Sequence, residues 1–183
     1  MKNKIIKIFN NQDALELLKG SGISLFLRFT GLFFGYLLTL LIAYLFGARG
    51  LGDYVLAITV LRLFTLFSKL GLDTTSIKYI ASFAVKNKWQ TILHIRKKII
   101  FILIISSIIF SLLMYLLSEP IASLINAKSN YIRLNAFFIM PMAFFILNYQ
   151  SLRGLKRIAE FSFFYRVSQA LFSIIFIAII YQF

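Results

Sequence analysis

The chain has 183 residues, 60% of them hydrophobic, with 21 Phe and no cysteine, and its 20 Lys and Arg against 6 Asp and Glu give a formal net charge of +14. A mean hydropathy of +0.86 lies far from the roughly half-apolar composition of water-soluble domains, so the composition excludes a soluble globular domain and identifies a membrane protein. Without cysteine there is neither a disulfide framework nor a thiolate metal site, and the scattered acidic residues and single His94 offer no catalytic cluster, metal site or cofactor site.

Runs of about twenty apolar residues, the length that crosses a hydrocarbon core of roughly 30 Å, predict five spans behind a cytoplasmic segment at residues 1–22. The first covers residues 23–46. It exceeds the roughly 7–15-residue apolar core of a signal peptide, and no small-residue cleavage site follows, so it remains as a span. Gly31 and Gly35 within it form a small-x-x-x-small pair that permits close helix packing. The stretch "LFGARGLGDYVLA", residues 45–57, then interrupts the apolar text. Gly47, Gly50 and Gly52 allow the tight backbone of a short hairpin over residues 47–53, and Arg49 and Asp53 keep it in water. The second span, residues 54–70, ends at Gly71.

Beyond it, in "TTSIKYIASFAVKNKW", Ile77, Ile80, Ala81, Ala84 and Val85 recur at helical spacing against Lys78, Lys86 and Lys88. This predicts an amphipathic helix near residues 74–89, either lying in the interface or extending the second span. His94 follows in a lysine-rich loop as a solvated residue. The remaining spans are residues 99–117, 134–152 and 163–181, with Pro141 predicted to kink the fourth.

Charge sets the orientation. Lys2, Lys4, Lys7 and Lys19 precede the first span; Lys69, Lys78, Lys86, Lys88, Arg96, Lys97 and Lys98 fall between the second and third; Arg153, Lys156, Arg157 and Arg166 fall between the fourth and fifth. The alternate connections hold only Arg49, Lys128 and Arg133. By the positive-inside rule the N-terminus is cytoplasmic, while the turn at 47–53 and the loop at 119–133 face outward. Topology and attraction to anionic lipids account for the positive charge, without nucleic acid as a partner.

Two charges resist the topological explanation: Arg28 in the first span and Arg62 near the middle of the second. An arginine at the centre of a membrane helix costs about 2.5 to 3.5 kcal/mol on insertion scales, so it faces a polar interior, a partner or a water-filled path. Thr59, Arg62 and Lys69 share one face of the second span, and Arg28, Gly31, Gly35 and Thr39 share one face of the first. If those faces meet, the hairpin lines a cationic cleft, with Thr39, Thr59 and Lys69 along it. The guanidinium fork matches phosphate oxygens, and no Asp or Glu lies within a span, which favours an anionic ligand over an organic cation. The alternative is that both arginines only meet lipid headgroups or pair with segments outside this chain.

The run "LFGARGLGDYVLAITVLRLFTLFSKLGLDTTSIKYIA" resembles the first helical hairpin of the polysaccharide-biosynthesis flippases, the O-antigen exporter (Wzx-type) branch of the superfamily that includes multidrug and toxic-compound (MATE-like) extruders and lipid II flippases. The carrying residues are Gly47, Gly50, Gly52 and Tyr54 in the turn, Leu70, Gly71 and Leu72 at the end of the second span, and Lys78, Tyr79, Ile80 and Ala81 in the helix that follows. "LRGLKRIAEF", residues 152–161, resembles the family's connection after the fourth helix. The likeness extends from about residue 18 onward.

The resemblance implies an all-α, polytopic transmembrane bundle in the bacterial cytoplasmic (inner) membrane. It implies a transporter that moves oligosaccharide repeat units on undecaprenyl pyrophosphate to the outer leaflet for O-antigen or capsule biosynthesis, with Arg28 and Arg62 holding the pyrophosphate. Such transporters rock two lobes about a midplane site. About five spans resemble an incomplete N-terminal lobe, so a fragment completed by a C-terminal lobe or by other polysaccharide-assembly membrane proteins is expected. A membrane-embedded structural or assembly subunit, or an inactive truncated remnant, is the alternative.

Overall fold

A computed structural model describes the backbone of residues 12–182 and the side chains of residues 20–181. Lys2, Lys4, Lys7 and Lys19, expected to mark a cytoplasmic N-terminus, lie outside the described side chains. Among the described residues the fold is all helical, with eight helices: α1 (Gln12–Ser68), α2 (Leu72–Ala84), α3 (Trp89–Leu116), α4 (Ser118–Ile125), α5 (Ser129–Ala136), α6 (Ile139–Gly154), α7 (Ile158–Arg166) and α8 (Ser168–Gln182).

The break in α1 is confined to one residue. Gly47 has φ 70 and ψ 180, a conformation essentially restricted to glycine. A Cβ placed on Gly50 would stand 2.5 Å from the Cβ of Phe46, whereas residues four apart on a continuous helix keep their Cβ atoms about 5–6 Å apart. The chain therefore folds sharply at Gly47. The turn expected over 47–53 is shorter than its glycine content predicts, because helix resumes at Ala48 and Gly52 is an open helical position with nothing within 4 Å.

The corner after α1 uses two left-handed residues, Leu70 (φ 48) and Gly71 (φ 73). Across it Lys69 Nζ donates to Asp73 Oδ2 at 2.7 Å, in a pair whose side chains are only 12% and 13% exposed. The amphipathic helix forms as α2 but stops at Ala84, ahead of Asn87 with φ 52. Helix α3 begins at Trp89, well before residue 99. His94, Arg96, Lys97 and Lys98 are thus helical instead of lying in a loop, since lysine and arginine are good helix formers even where they end an apolar run.

The loop expected at 119–133 is itself folded. Helices α4 and α5 occupy it, tied by Arg133, which donates to Ser118 Oγ at 3.0 Å and to Glu119 Oε1 at 2.5 Å. The bend in the fourth apolar run lies ahead of the proline expected to cause it: α5 and α6 meet at 52°, and Pro141 sits in the first turn of α6, where its missing N–H costs no helical hydrogen bond. Ser111 Oγ donates to the Ala136 carbonyl at 2.7 Å beside this bend. Helices α7 and α8 form a second bent pair, at 46°. By length and composition two helices can cross a membrane, and up to four spans result if each bent pair counts as one.

The chain divides into two compact units, Met1–Leu38 with Arg157–Phe183, and Thr39–Lys156. In the second, α2 lies against α3 and α6. Helix α6 comes close to α2 at Gly154, where a Cβ would stand 3.0 Å from the Ile80 Cβ and 3.1 Å from the Ile77 carbonyl oxygen. Val60, Leu61, Met114, Ile132 and Ile139 form one core cluster, and Ile99, Leu103, Ala143 and Leu147 another. Between the helices lie hydroxyls: Ser106 Oγ donates to the Ser68 carbonyl at 2.7 Å, and the Ser76 and Ser151 hydroxyls are 3.4 Å apart, all buried. Phe101, Leu112 and Phe137 meanwhile face outward. Buried hydroxyls between the helices, with large apolar residues also facing outward, are the packing of helices whose solvent is lipid.

In the first unit, the N-terminal part of α1 runs parallel to α7. Gly20 faces Ile158, Ser162 Oγ donates to Ser24 Oγ at 3.1 Å, and a Cβ on Gly31 would stand 2.6 Å from the Arg166 carbonyl oxygen. Both residue numbers rise together along this seam, which fixes the common direction.

Candidate functional site

The residues of the expected cleft fall in two compact units, with Arg28, Gly31 and Gly35 in the first and Thr39, Thr59, Arg62 and Lys69 in the second. After Gly47, helix α1 turns Ala57, Val60, Leu61, Thr65 and Ser68 toward its unit's core. Thr59, Arg62, Leu63 and Leu66 consequently lie on the exposed side. Arg62 is therefore a cation on an outward, largely apolar side shared with Thr59, Leu63, Leu66 and Phe67. Thr59 has its hydroxyl committed within the helix, donating to the Val55 carbonyl at 2.7 Å.

Lys69 was expected to line the cleft, but its ammonium is taken up by Asp73 at the α1–α2 corner. It serves that turn. On the first part of α1, Arg28 and Thr39 are exposed. The two glycines of the small-residue pair differ: Gly31 is pressed against the Arg166 backbone, whereas Gly35 has nothing within 4 Å of where a Cβ would stand. Gly71 supplies a left-handed backbone rather than a packing surface.

Three polar features escaped the sequence reading. Arg166, counted there with the cytoplasmic charges, stands at the bend between α7 and α8, with its guanidinium 5.5 Å from the Tyr165 ring centroid and its buried Nε without an acceptor among the described residues. Its position inside the run at 163–181 was the available signal. Arg96 donates to Asn148 Oδ1 at 2.6 Å, joining α3 to α6. Ser107, fully buried on α3, has no hydrogen-bond partner among the described residues. No group of three or more His, Cys, Asp or Glu capable of holding a metal occurs among the described residues.

The chain thus presents an all-helical bundle with two to four apolar helices able to cross a membrane. Comparison with protein-family models, with curated proteins and with solved structures finds no match.

Proposed function

We propose that the chain crosses the bacterial cytoplasmic membrane five times, N-terminus inside, and acts in turning undecaprenyl-pyrophosphate-linked oligosaccharide repeat units toward the outer leaflet for surface polysaccharide. The apolar part of α1, Gly20–Ser68, would be roughly 70 Å long as one rod, more than twice a hydrocarbon core of about 30 Å. Folding at Gly47 divides it into two segments of span length. The parallel seam of Gly20, Ser24 and Gly31 with Ile158, Ser162 and Arg166 favours the same count. With α1 as one span, the first and last of four spans would be antiparallel; with α1 as two, the first and fifth are parallel.

The observation that carries the transport reading is Arg62, a guanidinium on the exposed side of a largely apolar segment. An arginine within a membrane span marks a polar interior, a partner or a substrate path, and its planar fork of donors suits phosphate. Arg28 supplies a second such charge on the first span. The resemblance of the 45–81 run to polysaccharide flippases names the lipid-linked glycan as substrate.

The test is export of repeat units to the cell surface by cells dependent on this chain. Arg62→Lys keeps the charge but loses the fork, and export falls partly; Arg62→Gln abolishes export at near-normal expression. Parental export with Arg62→Gln would assign the arginine to structure and move the substrate site elsewhere.

A further inference from the structure

Beside the kink at Gly47, residues 46–58 of α1 and helix α5 line a notch of about 310 Å³, within the single compact unit Thr39–Lys156. Ala57 and Ile58 contribute apolar surface, while Asp53, Tyr54, Tyr131 and Asn135 bring a carboxylate, two phenol rings and an amide to the same space. No described residue hydrogen-bonds the side chain of Asp53 or Asn135. The sharp fold at Gly47 and the absence of a Cβ at Gly50, which also lines the notch, bring the two ends of this wall together.

The chemistry of the lining selects among ligands. A carboxylate accepts from two hydroxyls at once, an amide both donates and accepts, and an aromatic face packs against C–H groups. An organic cation is disfavoured, because Lys128 Nζ already stands 5.5 Å from the Tyr131 ring centroid. A phosphate is disfavoured by the Asp53 charge. What remains is a neutral ligand with hydroxyls around its edge and C–H bonds on its face, of a size suited to a pocket near the lower end of small-molecule sites.

We propose that this notch binds the ring of a neutral sugar. The inference deepens the transport reading, on which its biological role rests: the site would hold the glycan of the lipid-linked substrate at the outer edge of the bundle. The binding chemistry itself stands on the notch alone.

Saturation-transfer NMR on the full chain, in lipid nanodiscs prepared without glycosidic detergent, tests it with methyl glycosides of hexoses, 6-deoxyhexoses and N-acetylhexosamines. At least one class receives saturation on its ring protons, and the signal falls at least fivefold in Asp53→Ala and in Asn135→Ala. Tyr131→Ala, on an exposed position, gives the same loss and serves if Asp53→Ala fails to fold. The proposal is overturned if no glycoside receives saturation, if the substitutions leave the signal intact, or if choline or inorganic phosphate displaces the sugar. Because this readout needs no transport, an export-negative chain that still binds sugar leaves the site standing, and an exporting chain without a sugar signal overturns the site alone.

Discussion

Gly31, Gly35 and Gly47 stand on one helix and do three different things. At Gly31 the Arg166 carbonyl oxygen would be 2.6 Å from an added Cβ, and backbone cannot be swung aside as a flexible side chain can. Gly31→Ala should therefore destabilise the protein by about 1–3 kcal/mol, as overpacking does. Gly35→Ala meets nothing within 4 Å and replaces a poor helix former, so it should be neutral or stabilising by up to about 1 kcal/mol. Thermal unfolding of the two variants in nanodiscs checks the pair, and an equal response would dissolve the distinction. Gly47→Ala forces a side chain into φ 70, ψ 180, at a cost of about 1–3 kcal/mol of strain. It should lower the melting temperature even though nothing lies within 4 Å of the new Cβ.

Among the elements, the pair α2–α6 meets closely at Gly154 against Ile80 and Ile77, and the Ser76 and Ser151 hydroxyls meet across the same pair. The absence of cysteine lets single-cysteine labelling map this face directly. A cysteine at exposed Lys78 should react with a maleimide in the folded protein, and one at buried Ile80 should react only after denaturation. Equal reactivity would contradict the packing of α2.

The apolar helical bundle and the amphipathic α2 were legible because long hydrophobic stretches and helical periodicity are strong local signals, whereas by length and composition the structure has two helices, or up to four spans, able to cross a membrane against the five expected. Helices α4 and α5 were not, since eight residues each are too few to register as spans, and the Arg133 to Glu119 pairing that closes them is not local in sequence. The bend before Pro141 was misplaced for a related reason: proline announces that a helix cannot pass unaltered, but a proline in the first turn is accommodated by starting the helix just ahead of it.

At the scale of the whole molecule, charge counting placed Arg28 and Arg62 inside apolar runs, where they indeed stand exposed on helix faces, yet the same counting assigned Arg166 to a cytoplasmic cluster. Counting by loops misses a charge that has entered the helix. Which faces are packed was likewise invisible, because a uniformly apolar helix has no polar side to mark its outside. The proposed five-span arrangement makes a direct topological prediction: alkaline phosphatase fused after Phe183 should be active and fused after Lys98 silent, and the reverse pattern would contradict it. The transport account is tested most directly by the leaflet position of the lipid-linked glycan in spheroplasts of cells lacking this chain. The account predicts that undecaprenyl-pyrophosphate-linked oligosaccharide is made but is shielded from an externally added glycosidase, becoming accessible when the chain is restored; equal accessibility with and without the chain would contradict it.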